Sequence, residues 1–219
     1  MINLKVNDYT GISFWIISIA LGATTAFLVI ERNNVKEKWK LPITISSLVT
    51  GIAAAHYMYM RKLWLVNKKN PVVFRYIDWI LTVPLQIIEF YLILSVSKKI
   101  PKILFYKLLF ASLIMLIFGF LGESLQINRN IGFIVGMIAW LYILYEIFFG
   151  QAAKFKNETK DPAVIFAFDA LKWIITLGWS IYPIGYLLNK VKLNLVYNLG
   201  DLVNKILFAI IIWYAAKKK

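Results

Sequence analysis

Seven apolar runs divide the chain, each about 20–25 residues long, the length a helix needs to cross the hydrocarbon core of a bilayer. Span A covers about Tyr9 to Ile30, B Leu41 to Tyr59, C Val72 to Val96, and D Ile103 to Leu121. Span E covers about Ile131 to Phe149, F Pro162 to Leu188, and G Leu193 to Ala216. The pattern predicts an all-α membrane protein, a seven-helix bundle with residues 1–219 in one domain. Pro71 suits the first turn of span C. Pro84 and Pro183 lie inside spans, where neighbouring helices make a kink tolerable. Short-period repeats and low-complexity segments are absent.

Span G breaks its apolar pattern with Lys205, near mid-membrane, and with Asp201 four residues earlier on the same helix face. A lysine at that depth costs roughly 2.5–3.5 kcal/mol on the insertion scale. Two readings are open: a structural ion pair with Asp201, or a lysine carrying a covalent Schiff base with Asp201 in its counterion.

Span C narrows the choice. Arg75, Asp78, Thr82, Gln86 and Glu89 fall within an arc of roughly 80° on one helix face. Helix–helix polar packing accounts for Thr82 and Gln86. It accounts badly for an arginine and two carboxylates, since each buried ion needs a partner. Asp78 and Asp201 approach Lys205 from the same side; with Arg75 they make two positive and two negative charges, a neutral cluster that a low-dielectric interior tolerates. Glu89 lies eleven residues from Asp78, roughly 16 Å along the helix. Ile87, Ile88, Phe90 and Leu92 offer it no cation. Desolvation should keep it protonated at rest. An ionised acceptor on one side of the lysine and a protonated donor on the other give a proton a direction.

Orientation follows from the loop cations. The A–B, C–D and E–F loops and the C-terminal tail hold thirteen lysines and arginines, against seven in the other three loops. The excess puts the C-terminus in the cytoplasm and the N-terminus outside. Among the minority, Arg61, Lys62, Lys68 and Lys69 make the B–C loop unusually basic. The formal net charge of +14 therefore belongs to membrane topology and is no nucleic-acid footprint. The residues are 60% hydrophobic, as expected of a membrane protein. With no cysteine and one histidine, His56, thiolate and histidine-cluster metal sites are excluded. Met1 to Thr10 is polar and the first apolar run is long enough to stay in the membrane, so a cleaved leader is not expected here.

The motif Arg75-Tyr-Ile-Asp78-Trp79-Ile-Leu-Thr82-Val-Pro84, with Asp201-Leu-Val-Asn-Lys205, resembles the microbial rhodopsins. The proteorhodopsin branch is resembled in detail. Its marks are Glu89-Phe-Tyr-Leu-Ile-Leu, His56-Tyr-Met-Tyr-Met, Trp179-Ser-Ile-Tyr182-Pro183 and Tyr197-Asn-Leu-Gly-Asp201. The resemblance covers essentially the whole chain. It implies all-trans retinal on Lys205 as a protonated Schiff base, Asp78 as proton acceptor, Thr82 as its hydrogen-bonding partner, and Glu89 as cytoplasmic proton donor. It makes Asp201 the second counterion and Arg75 its outer charge partner. His56 would hydrogen-bond Asp78, with Trp15 of a neighbouring protomer in reach of it in a pentamer or hexamer. Gln86 would tune absorption to the blue. Trp79, Met115, Trp140, Tyr142, Trp179, Tyr182 and Pro183 would form the retinal pocket.

The function so implied is a light-driven outward proton pump, a transporter rather than an enzyme, in a bacterial cytoplasmic membrane. Chloride-pumping relatives lack an acid at the Asp78 position. Sensory relatives usually lack a carboxylate at the Glu89 position. The alternatives are a slow-cycling photosensor signalling to a membrane partner, and a non-photoactive receptor or transporter using Lys205 and Asp201 as a salt bridge. Outside span F the chain reads Tyr186-Leu-Leu-Asn189-Lys190 with no carboxylate, and Glu123 is the main outer-end acid. Proton release is therefore expected late, after uptake.

Overall fold

The computed structural model describes residues 4–68, 70–188 and 190–218, with side chains at all of these but 67 and 190–192. Of the residues in the charge balance, Lys69 and Lys219 lie outside the described residues, as does Asn189, and the side chains of Lys190 and Lys192 are not described.

Seven helices are long and apolar enough to cross a membrane. They are α1 (Tyr9–Asn34), α2 (Glu37–Val66), α3 (Val72–Ser97), α4 (Lys102–Glu123), α5 (Arg129–Glu158), α6 (Pro162–Leu187) and α7 (Leu193–Lys217). Among the described residues there is no strand. Exposed leucines, isoleucines and aromatics cover the outside of the bundle, while its polar and charged side chains turn inward, the reverse of a water-soluble protein.

Two helices are longer than their apolar runs. α2 gains one turn at its start and about two at its end, where Trp39 and Trp64 are buried. Trp64 donates its indole N–H to Asp8 Oδ1 at 3.0 Å. Asp8 also caps α1 through the Gly11 amide at 2.9 Å and pairs with Lys68, so the turns added at that end fasten the start of α1. α5 breaks near Phe149–Gly150 and restarts as a short helix, Gln151–Glu158, where the sequence predicted a loop. Glu146 makes the restart possible: its carboxylate accepts from the Gln151 amide at 2.9 Å and from Lys107 at 2.9 Å.

α4 and α5 meet backbone to backbone. A Cβ on Gly132 would lie 2.7 Å from Gly122 Cα and 2.7 Å from the Phe118 carbonyl oxygen. One turn on, Gly136 sits against the Met115 carbonyl. Small residues four apart let two helices approach to this distance. α6 and α7 depart from regular geometry, each through a π-turn, at Ile174–Gly178 and Leu202–Leu207. Such turns insert one residue and free a backbone carbonyl from the ladder.

The glycine seam makes a prediction. Gly132→Ala should destabilise the protein by about 1–3 kcal/mol, because backbone atoms cannot step aside. Gly22→Ala, whose Cβ meets nothing within 4 Å, should be neutral or slightly stabilising. Thermal unfolding of both variants in detergent, side by side, checks the difference.

Candidate functional site

The π-turn of α7 carries Lys205 on one face with Asp201 a turn before it, and α3 supplies Asp78 across the bundle. Lys205 is 1% exposed, and its Nζ donates to the Asp78 carboxylate and to Asp201 Oδ2 at 3.0 Å. The pairing expected from spacing is therefore present. The two carboxylates differ in how they are held. Asp201 also accepts from the Tyr57 hydroxyl at 2.7 Å, the Tyr182 hydroxyl at 2.7 Å and the Trp79 indole at 3.2 Å. Four donors from four helices engage it. Asp78 has Lys205 on one oxygen, and its Oδ1 has no hydrogen-bond donor among the described residues. His56 Nδ1 lies 3.9 Å from that oxygen, beyond hydrogen-bond length, and bonds the Ile52 carbonyl of its own helix at 3.0 Å.

Three expected partnerships take another form. Arg75, 1% exposed, has no carboxylate within ion-pair distance among the described residues. It donates to Tyr57 at 3.1 Å, Asn194 Oδ1 at 3.1 Å and Asn198 Oδ1 at 3.0 Å. Tyr57 stands between Arg75 and Asp201 and links them, because the buried guanidinium reaches neutral oxygens before it reaches the acid. The Thr82 hydroxyl donates to the Asp78 backbone carbonyl at 2.9 Å and not to its carboxylate, the usual bond of a threonine one turn on in a helix. Tyr142 lies outside the pocket expected for it: it is 37% exposed and donates to Glu146 Oε1 at 3.0 Å.

Tyr57, Asn194, Asn198 and Ser46 were missed in the sequence. Asn194 and Asn198 share a helix stripe with Asp201 and Lys205 at spacings of four, three and four, which could have revealed them. Asn198 is oriented by a bond from its amide nitrogen to Ser13 Oγ at 2.9 Å. Glu89 is fully buried on α3, about three turns beyond Asp78 and on the opposite side of it from Arg75. Its one hydrogen bond among the described residues comes from Ser46 Oγ, at 2.5 Å on Oε1. It meets no cation within ion-pair distance among the described residues.

Beside this charged centre lies an apolar cavity of about 100 Å³, partly open to the outside. Trp79, Met115, Trp140, Trp179, Tyr182 and Pro183 line it, and Gly119, Gly132 and Gly136 form part of its floor. Two of its walls, Trp79 and Tyr182, are the residues that bond Asp201. Gln86 is turned toward α7, where its amide donates to the Asn204 carbonyl at 2.7 Å. Trp15, 48% exposed, lies on the outer face of α1 under the Arg61 guanidinium, 3.9 Å from the ring centre.

The family model for bacteriorhodopsin-like proteins matches residues 8–219. The chain is 48% identical to the green-light absorbing proteorhodopsin of Gamma-proteobacterium EBAC31A08, over 99% of this chain and 90% of that one. It is 46% identical to the blue-light absorbing proteorhodopsin of Gamma-proteobacterium Hot 75m4, with the same coverage. Its structure superposes on the crystal structure of blue light-absorbing proteorhodopsin from Med12 with a TM-score of 0.84 at 50% identity, covering 95% of this chain and 98% of that one. A conserved helical frame, a buried lysine in the last span and full-length similarity agree: the chain belongs to the bacteriorhodopsin-like family, with proteorhodopsins among its relatives.

Proposed function

We propose that this protein is a light-driven outward proton pump that uses all-trans retinal attached to Lys205, in a bacterial cytoplasmic membrane. The observation that carries the reading is the asymmetry about Lys205. On one side stand two carboxylates and Arg75; on the other stands Glu89, bonded to Ser46 and, among the described residues, to no cation. A static scaffold has no use for a buried acid placed there.

The residues fit the cofactor. Lys205 would hold it, and Trp79, Met115, Trp140, Trp179, Tyr182 and Pro183 would enclose it, since aromatic walls suit a flat conjugated chain. When bound, retinal supplies light absorption and a change of shape that alters the position and proton affinity of the Lys205 nitrogen. The chain's own groups then divide the work. Asp78 takes the proton from Lys205 Nζ, because it contacts that atom and keeps one oxygen free, whereas the lone pairs of Asp201 are engaged by four donors. Asp201 remains as the fixed counter-charge. Glu89 returns a proton to the same nitrogen from the inner side and is refilled from the cytoplasm. Arg75, held by Tyr57, Asn194 and Asn198, favours negative charge at the outer carboxylates and drives the proton onward as it moves. Release follows uptake, because Glu123, bonded to Tyr76 at 2.9 Å and Tyr197 at 3.2 Å, shares no hydrogen bond with a second acid among the described residues.

Gln86 makes this a blue-absorbing form. Its amide dipole lies beside the Lys205 turn and favours the ground-state charge distribution over the excited one. Protomers assemble as pentamers or hexamers, in which the outward-facing Trp15 reaches a neighbour's His56; the 21% exposure of the His56 side chain supports a contact from outside the protomer.

Illumination of cells that make the protein, with retinal supplied and in weak buffer, should acidify the medium, and a protonophore should abolish the signal. Pigment without any pH change would replace the pump with a sensor. Glu89→Gln should slow turnover by on the order of a hundredfold, the usual worth of a positioned proton donor, with the colour unchanged. Flash photolysis reads that rate. Gln86→Leu should move the absorption band to longer wavelength, which a simple absorption spectrum decides.

A further inference from the structure

The two π-turns lie at the same depth and face one another. A π-turn frees a carbonyl that must find another donor when buried. In α6 the freed carbonyl is that of Gly178, and the Asn204 side-chain amide donates to it at 2.8 Å. In α7 the carbonyl of Asn204 itself takes the Gln86 amide at 2.7 Å. Asn204 thus ties α6 to α7 and is tied to α3, at the residue next to Lys205. Asn204 is fully buried, and a Cβ on Gly178 would collide with its side-chain oxygen, so the contact requires glycine there.

α6 connects this point to both sides of the proton path. Just beyond Gly178 it carries Trp179 and Tyr182, which line the cavity, and Tyr182 bonds Asp201. About 15 Å before it along the helix, Phe168 packs edge-on to Phe90, the neighbour of Glu89, with ring centres 5.3 Å apart. The inner half of α6 therefore packs against α3 at the residue next to the donor acid.

We propose that Asn204 is a positioning residue, a latch that holds α6 closed against α3 beside Glu89 until displacement at Lys205 pulls it from Gly178. The proposal rests on the reading of retinal at Lys205 given above. In the dark, the amide bond keeps the Phe168–Phe90 contact shut. When the Lys205 stem moves, the adjacent Asn204 moves with it, the bond to Gly178 opens, and α6 swings enough to let Glu89 recover its proton.

The test breaks the latch from each side. Asn204→Leu removes the donor and Gly178→Ala pushes it away. One hydrogen bond is worth about a fivefold change in an opening equilibrium. Each variant should therefore speed the refilling of Glu89 about fivefold in flash photolysis, and the double variant should be no faster than either single one. Thr176→Val, which loses the hydroxyl bond to the Lys172 carbonyl in the same turn, should leave the rate alone. In the retinal-free protein, amides of residues 174–182 should exchange with deuterium faster in both latch variants and not in Thr176→Val. If Gly178→Ala fails to fold, Asn204→Leu against Thr176→Val still decides. Refilling within twofold of the unmodified protein, or effects that multiply in the double variant, would overturn the latch. If the unmodified protein forms no pigment with retinal, the retinal reading fails, while the exchange experiment still judges the bond between Asn204 and Gly178.

Discussion

An amine buried at mid-membrane sets the terms for everything around it. Lys205 can be cationic there only if negative charge is brought to it, and two carboxylates are. Those carboxylates need donors in turn. Tyr57, Trp79 and Tyr182 converge on Asp201 from α2, α3 and α6, while Arg75 offsets the second negative charge through neutral intermediaries. One ionised side chain thereby fixes the relative rotation of four helices. That rotation determines which residues line the cavity next to it.

The division of labour between the two acids follows from their saturation. Both touch Lys205, and composition cannot tell them apart. Asp201 is surrounded by donors; Asp78 has one oxygen free of protein donors and a histidine just out of bonding range. An acid that already accepts four hydrogen bonds serves as an anchor, whereas one with a free oxygen can change its protonation. On the other side, a single serine contact to Glu89 leaves that group in a setting where staying neutral is easiest.

Seven spans, the charged stripe of α3 and the lysine of α7 were legible in the sequence because membranes impose a strong pattern: long apolar runs make any charge conspicuous. Helix ends were less legible. The Trp64–Asp8 bond and the Glu146 cap lengthen α2 and α5 through contacts between residues far apart in sequence or across a break, which no local pattern carries. Partnerships were harder still. Helical spacing brought Thr82 within a turn of Asp78 but could not say whether its hydroxyl would choose carboxylate or backbone. Tyr142 carries the aromatic signature of a pocket residue, yet it follows Trp140 by two positions, a rotation of roughly 200° that sends it to the outer face. The π-turns were invisible, since their sequences are ordinary apolar helix and the extra residue is a response to tertiary packing. Asn194 and Asn198 could have been found from the α7 stripe, where an amide repeated at helical spacing next to two charges is rare in an apolar span.

The glycine seam between α4 and α5 has an evolutionary consequence. On that side part of the cavity is bounded by main chain, which mutation cannot resize: any larger residue at 132 would drive the helices apart instead of trimming the space between them. Variation that adjusts the shape or polarity of the cavity is therefore confined to positions that line it with side chains, Met115 and Trp140 on α4 and α5 as well as those on α3, α6 and α7. Lineages descending from this chain are free to retune those walls and are held to a common glycine floor between α4 and α5.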